Sequence, residues 1–98
     1  MACQYYVYIL TNKRRTVLYT GITNDLMQRV WQHRDGTGSS FTHRYQCTRL
    51  VFYEVYQDSY TAISREKQIK AGPRRRKIGL IERTNPEWRD LYESLRGA

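Results

Sequence analysis

Glu66 stands where a helix would bury apolar side chains. Counted at ~100° per residue along the run from Tyr60 to Ala71, its carboxylate falls between Ile63 and Ile69, in the apolar stripe that Ala62 also joins. A carboxylate withdrawn from water without a partner is costly, so this position needs a cation. Arg29 can supply it as a structural ion pair. A divalent metal can supply it as a chemical centre, and one carboxylate completed by water and phosphate oxygens suits Mg2+.

Two further pairs carry reactive groups. Arg29 and His33 are four residues apart beside Leu26 and Val30, so a guanidinium and an imidazole share a helix face at the edge of the core. The competing arrangement is a solvated pair. Tyr8 shares a strand face with Tyr6 and Leu10, and Tyr19 shares one with Val17 and Gly21. Paired across a hairpin, the two phenols stand side by side, and Gly21 leaves room there for a backbone or a ligand. Strands favour tyrosine in any case, so these two residues alone decide nothing.

The elements that position these groups follow from the pattern. Residues 5–11 and 17–22 are rich in β-branched and aromatic side chains around the polar break 12–16, which predicts an antiparallel hairpin. Thr23-Asn24-Asp25 offers N-cap groups to a helix over 26–34, stopped by Asp35-Gly36. Residues 36–48 show no clear period and read as a surface loop, and 49–56 as a third strand. Asp58-Ser59 caps a helix over about 60–71, ended by Gly72-Pro73; a third helix runs over about 73–83, and a short fourth follows Asn85-Pro86. The expected fold class is α/β (α+β): a small three-stranded, mainly antiparallel sheet flanked by three to four helices. Residues 1–98 are expected to form one domain, with a motif core over about 4–86 and a C-terminal helix over about 86–96. In that helix Trp88, Leu91, Tyr92 and Leu95 recur at helical spacing, as a local core stripe does.

Composition points to a partner. The 98 residues are 40% hydrophobic and 27% charged, which is enough for a core and too little bias for a disordered tail. Seventeen Lys and Arg against nine Asp and Glu give a formal charge of +8. Such a surplus gathers a polyanion and makes nucleic acid the first partner to consider. Lys67, Lys70, Arg74, Arg75, Arg76 and Lys77 form the densest basic run, suited to phosphate contacts that position a duplex without reading its sequence. No apolar run approaches the ~18 residues of a membrane span, and Met-Ala-Cys-Gln is no secretory leader, so a cytoplasmic protein without a membrane partner is expected. Cys3 and Cys47 are then expected to be free thiols.

Taken in order, these residues resemble a known pattern. Tyr6-Val7-Tyr8 and Tyr19-Thr20-Gly21 look like degenerate forms of the Gly-Ile-Tyr and Tyr-Ile-Gly signatures of the GIY-YIG (URI domain) nuclease superfamily. Arg29 falls at the family's helix arginine, His33 where many members carry a histidine, Glu66 at the metal-binding glutamate, and Asn85 at the asparagine that often closes the motif. The resemblance covers almost the whole chain and is strongest, by length, to small stand-alone bacterial members. Tyr6 and Thr20 depart from the signatures at positions that supply no reacting group.

The resemblance implies a divalent-metal-dependent deoxyribonuclease that hydrolyses DNA phosphodiesters by in-line attack of water, with Mg2+ or Mn2+ held by Glu66. Tyr8 would be the general base or water-orienting phenol, assisted by His33 or Tyr19, and Arg29 with Tyr19 would brace the scissile phosphate. A phenol has a reference pKa of ~10, so a cation beside it is needed before it serves as a base. Asn85 either completes this catalytic set or caps a helix. The expected substrate is DNA cut with low sequence specificity, or branched, flapped or single-stranded DNA, in repair, recombination or processing. The alternative is a non-catalytic nucleic-acid-binding module that uses the basic surface and tyrosine stacking. Dependence on metal separates the two.

Overall fold

Strands β1 (Tyr5–Thr11), β2 (Leu18–Thr23) and β3 (Arg49–Tyr56) form one sheet in the order β2-β1-β3, antiparallel throughout. The computed structural model describes residues 3–97. The hairpin between β1 and β2 is tied by Asn12, whose Oδ1 accepts from the backbone N–H groups of Thr16 at 2.8 Å and Val17 at 3.2 Å. Its register sets Tyr8 opposite Gly21 and Leu10 opposite Tyr19. The two phenols are therefore diagonal neighbours on one face, with ring centroids 6.4 Å apart. On the other side of β1 the register shifts between Ile9, which faces Phe52, and Leu10, which faces Leu50. Val51 is the extra residue of this bulge, and it points into the core.

Alternation along β1 divides the interior into two cores. Val7 and Ile9 pack with Phe52, with Ala62 and Ile69 of α3 (Ser59–Ala71), and with Ile81 of α4 (Arg74–Thr84). Tyr8 and Leu10 pack on the opposite face with Leu50, with Leu26 and Val30 of α1 (Leu26–Asp35), and with Tyr92 of α5 (Tyr92–Gly97). The sheet is thus sandwiched between helices, and β1 is buried on both sides. Asp25 and Asp58 cap α1 and α3 as their sequence positions suggest, accepting from Gln28 N and Thr61 N. Cys3 is an exposed free thiol; Cys47 is a buried one, and burial pushes it up to about 11. Among the described residues no helix is long and apolar enough to cross a membrane.

Two expectations change. Within the span read as a loop, Ser40–Tyr45 is a helix, α2, capped by the Ser39 hydroxyl, which accepts from Thr42 N. Pro86 to Leu91 is not helical: Trp88 has a left-handed φ of 56° and α5 begins only at Tyr92. The supposed C-terminal stripe is therefore split. Trp88 packs in the core of α3 and α4, and Leu91, Tyr92 and Leu95 pack in the other. The crossing is fastened to β3 by Leu91 N donating to Leu50 O at 2.7 Å and Leu50 N donating to Asp90 Oδ1 at 3.2 Å.

Tyr8 depends on its opposite residue being glycine. A Cβ on Gly21 would lie 2.5 Å from both Cζ and Oη of Tyr8, so the hydroxyl end of the ring fills the space a side chain would take. Gly79, inside α4, has nothing within 4 Å of such a Cβ. Gly21→Ala is expected to cost ~1–3 kcal/mol in urea unfolding by overpacking. Gly79→Ala is expected to add ~0.5–1 kcal/mol through helix propensity.

Candidate active site

A chain of hydrogen bonds joins the sheet to α1 and α2. The Tyr8 hydroxyl is 3.0 Å from His33 Nε2, and His33 Nδ1 is 2.7 Å from Thr42 Oγ1. Tyr8 and His33 are each about 1% exposed. Helical spacing carries His33 inward with Leu26 and Val30, deeper than the core edge where the sequence put it. Thr42 has an acceptor of its own in the Ser39 carbonyl at 3.2 Å. With Thr42 donating to that carbonyl, the network closes as the Nδ1–H tautomer, in which His33 donates to Thr42 and its Nε2 lone pair accepts from the Tyr8 phenol; the Ser39 hydroxyl, 2.9 Å from Thr42 Oγ1, can take either role. The turn before α2 is shaped around this ring, since a Cβ on Gly38 would lie 2.4 Å from His33 Nδ1.

Both groups are held neutral. Burial, helped by nearby Tyr19 and Glu66, drives Tyr8 up to about 12, although the Arg29 guanidinium pulls the other way. Burial, and then the charge of Arg29, brings His33 down to about 4. Arg29 is half-buried on α1, and its Nη1 donates to Gln32 Oε1 at 3.1 Å. Tyr19 closes the group, 5.3 Å from the His33 ring and 6.4 Å from the Tyr8 ring between centroids.

Glu66 lies in the inward stripe of α3 with Ala62 and Ile69, and it is the one buried side chain with a full charge among the described residues. Ile63 is 44% exposed, so the stripe runs Ala62–Glu66–Ile69, not through Ile63 as the helical count suggested. Its cation is Lys70, one turn on, with Nζ 2.7 Å from Glu66 Oε2; no salt bridge joins Glu66 to Arg29. The Lys70 side chain is 54% exposed, and its long flexible stem can swing away into solvent. The described residues hold no group of three or more His, Cys, Asp or Glu that could enclose a metal. A divalent ion at Glu66 would therefore rest on one protein carboxylate, with water and phosphate oxygens completing its shell. That ligand set fits Mg2+ or Mn2+ and does not fit a structural zinc.

Tyr8, Tyr19 and His33 are thus neighbours, Arg29 and Glu66 lie near enough to act on the Tyr8 phenol, and Asn85 makes its hydrogen bonds elsewhere. The Asn85 Nδ2 donates to Val51 O at 3.1 Å and Arg89 O at 2.9 Å, and its Oδ1 accepts from Arg89 N at 3.0 Å. Its amide is bonded to backbone on both sides, holding the end of α4 and the segment after it against β3. Within the basic run, Lys67, Arg75 and Arg76 are exposed. Arg74 donates to Arg15 O at 2.9 Å, and Lys77 to Gly72 O at 3.1 Å, so these two also tie loops. A cavity of about 380 Å3 lies between β3, α3 and α4 and is lined by none of the five clustered residues. Thr42 and Ser39 were not singled out from the sequence; the available signal was Ser39 as a helix N-cap ahead of Phe41 and Tyr45, four apart.

Residues 4–78 match the family model described as the GIY-YIG catalytic domain. The chain belongs to the GIY-YIG family. A UPF0213 protein of Clostridium perfringens is 41% identical over 76 residues, covering 78% of this chain and 81% of its own. Another from Haloquadratum walsbyi is 37% identical over 78 residues, covering 80% and 86%. The solution NMR structure of a UPF0213 protein from Bacillus halodurans superposes with a TM-score of 0.57 at 30% identity, over 90% of this chain and 93% of that one. GIY-YIG domains are nuclease domains that act on nucleic acid and generally depend on a divalent metal.

A histidine kept neutral by burial makes stability depend on pH. Unfolded, His33 takes up a proton near 6.5; folded, it does so only near 4. Its contribution is complete above pH 6.5 and is lost as pH falls toward 4, a change on the order of 3 kcal/mol. Urea midpoints measured from pH 7 to 4 should decline accordingly, and His33→Gln should flatten that part of the curve.

Proposed function

We propose that the protein is a divalent-metal-dependent endonuclease that hydrolyses phosphodiester bonds in DNA, with structure preference or low sequence specificity. The observation that carries this reading is the neutral Tyr8–His33 pair beside Arg29 and the single buried carboxylate, Glu66. These groups divide the work of hydrolysis. Tyr8 keeps its proton on a bond to His33 Nε2, so its oxygen can take a proton from water as its own passes to His33. The water oxygen bonds to phosphorus as the bridging P–O bond breaks; the departing oxygen keeps that bond's electron pair and takes a proton from solvent, and the attacking water's proton is accounted for by imidazolium at His33. Thr42 holds the other ring nitrogen throughout. Arg29 would meet the charge of the phosphate. A bound phosphate also offsets the guanidinium charge that lowers His33, which makes His33 a better base once substrate is present. Glu66 would hold a Mg2+ or Mn2+ ion, which supplies charge neutralisation and Lewis acidity at the phosphate.

Exposed Lys67, Arg75 and Arg76 add contacts that position a strand without reading bases. The test is cleavage of labelled single-stranded, duplex, nicked, flapped and four-way DNA with Mg2+, Mn2+ or EDTA. Wild type is expected to cut at least one substrate in metal and none in EDTA, and Glu66→Gln to lose about 100-fold or more in rate. The proposal fails if wild type cuts no DNA and Glu66→Gln is indistinguishable from it in every assay. Equal DNA binding by two such inert proteins would leave a non-catalytic binding module.

A further inference from the structure

A run of aromatic rings leads from the buried cluster to the surface. From Tyr19, which touches Tyr8 and His33, the next ring is Phe41, 5.8 Å away between centroids, and beyond it Tyr45 at 4.8 Å from Phe41. Tyr8 and His33 at the inner end are buried and Tyr19 is half-buried, whereas Phe41 and Tyr45 are 42% and 41% exposed. Lone exposed apolar side chains need no explanation. Among the described residues, however, Trp31 and Tyr60 are exposed without an aromatic neighbour, while Phe41 and Tyr45 form an exposed pair continuous with the candidate site.

The surroundings of this pair are basic. Helix α2 carries His43 and Arg44, both exposed, and no acidic residue, and the Arg44 guanidinium lies 5.5 Å from the Tyr45 ring centre. An occupant must then offer flat apolar faces together with negative charge. A nucleic-acid strand with unpaired bases does both. A duplex offers its charge but keeps the faces of its bases stacked inside.

We propose that Phe41 and Tyr45 are a stacking platform for one or two unpaired nucleobases of a strand whose adjoining phosphate enters the cluster of Tyr8, Arg29 and Glu66. The position of that phosphate rests on the nuclease reading; stacking at the rings does not. Arg44 and His43 meet the backbone on the solvent side, and Tyr19 links platform to site. The protein thereby selects an unpaired segment, such as a free strand or a flap, over continuous duplex. Sugar type is left to be read by experiment, because the recognised faces are those of the bases.

Binding in EDTA tests this without requiring cleavage. Fluorescently labelled single strands of about 12 nucleotides, of DNA and of RNA, are titrated beside a blunt DNA duplex and an abasic strand of equal length. The proteins are wild type, Phe41→Leu, Tyr45→Leu and Phe41→Trp, each checked for folding by circular dichroism. Each leucine variant is expected to weaken single-strand binding about 10-fold, within the ~5- to 150-fold span of one stacked base, and duplex binding less than about 2-fold. Phe41→Trp should keep the affinity, and the abasic strand should bind every protein alike. Ring dependence in either the DNA or the RNA arm supports the platform, and the stronger arm identifies the sugar.

The proposal is overturned if the leucine variants bind single strands as wild type does, or weaken strand and duplex equally. It is also overturned if Phe41→Leu turns a dimer into a monomer with binding unchanged, which would give the rings to contact between copies of the chain. Ring-dependent binding by a protein that cuts nothing would retain the platform and end the nuclease reading. Metal-dependent cutting with ring-independent binding would do the reverse.

Discussion

A phenol and an imidazole share a proton inside this protein, and their surroundings keep both uncharged. Tyr8 and His33 come from different layers, the central strand and the helix packed on it, and meet at 3.0 Å. Neither is tolerable there alone, because a buried hydroxyl or ring nitrogen without a partner costs about as much as a good hydrogen bond contributes. Much of the local architecture follows from closing that network. Gly21 gives the Tyr8 ring its bed, Gly38 lets the chain pass His33, and α2 exists where its Thr42 can occupy the far nitrogen. No buried side-chain nitrogen or oxygen is left without a partner among the described residues.

Charge is distributed around the neutral pair rather than within it. Arg29 favours the deprotonated form of both members, whereas Glu66 makes Tyr8 hold its proton more tightly. Anything that compensates Glu66 or engages Arg29 therefore changes the proton affinity of the pair. In the proposed reaction a phosphate at Arg29 and a divalent cation at Glu66 would do so together. The resting partner of Glu66, Lys70, satisfies the carboxylate from the solvent side without sealing it. The buried carboxylate is thus stable in the free protein and still available.

Most of the frame was legible in the sequence because local and tertiary preferences agree there. The three strands, the caps at Asp25 and Asp58, and the inward positions of Leu26, Val30 and Glu66 follow from period and cap chemistry. The family resemblance then put Tyr8, Tyr19, Arg29, His33 and Glu66 into one group, which strand alternation alone could not do. Helix α2 was hidden because it is less than two turns long, follows two glycines, and is held by Phe41 on Tyr19 and by Thr42 on His33, contacts distant in sequence. The C-terminal stripe misled because helical spacing says nothing about which core each residue enters. The left-handed turn at Trp88 and the amide of Asn85 send the chain from one face of the sheet to the other. Lys70 as the partner of Glu66 was open to view as an i,i+4 pair.

The neutral Tyr8–His33 pair is the claim on which the chemistry stands, and the imidazole nitrogens report on it directly. In protein labelled with 15N at histidine, NMR should show His33 as the Nδ1–H tautomer, with Nε2 accepting a hydrogen bond, and unprotonated from pH 7 down to about 4. A His33 that titrates near 6.5, or that carries its proton on Nε2, would contradict the account, because Tyr8 would then have no acceptor for its proton.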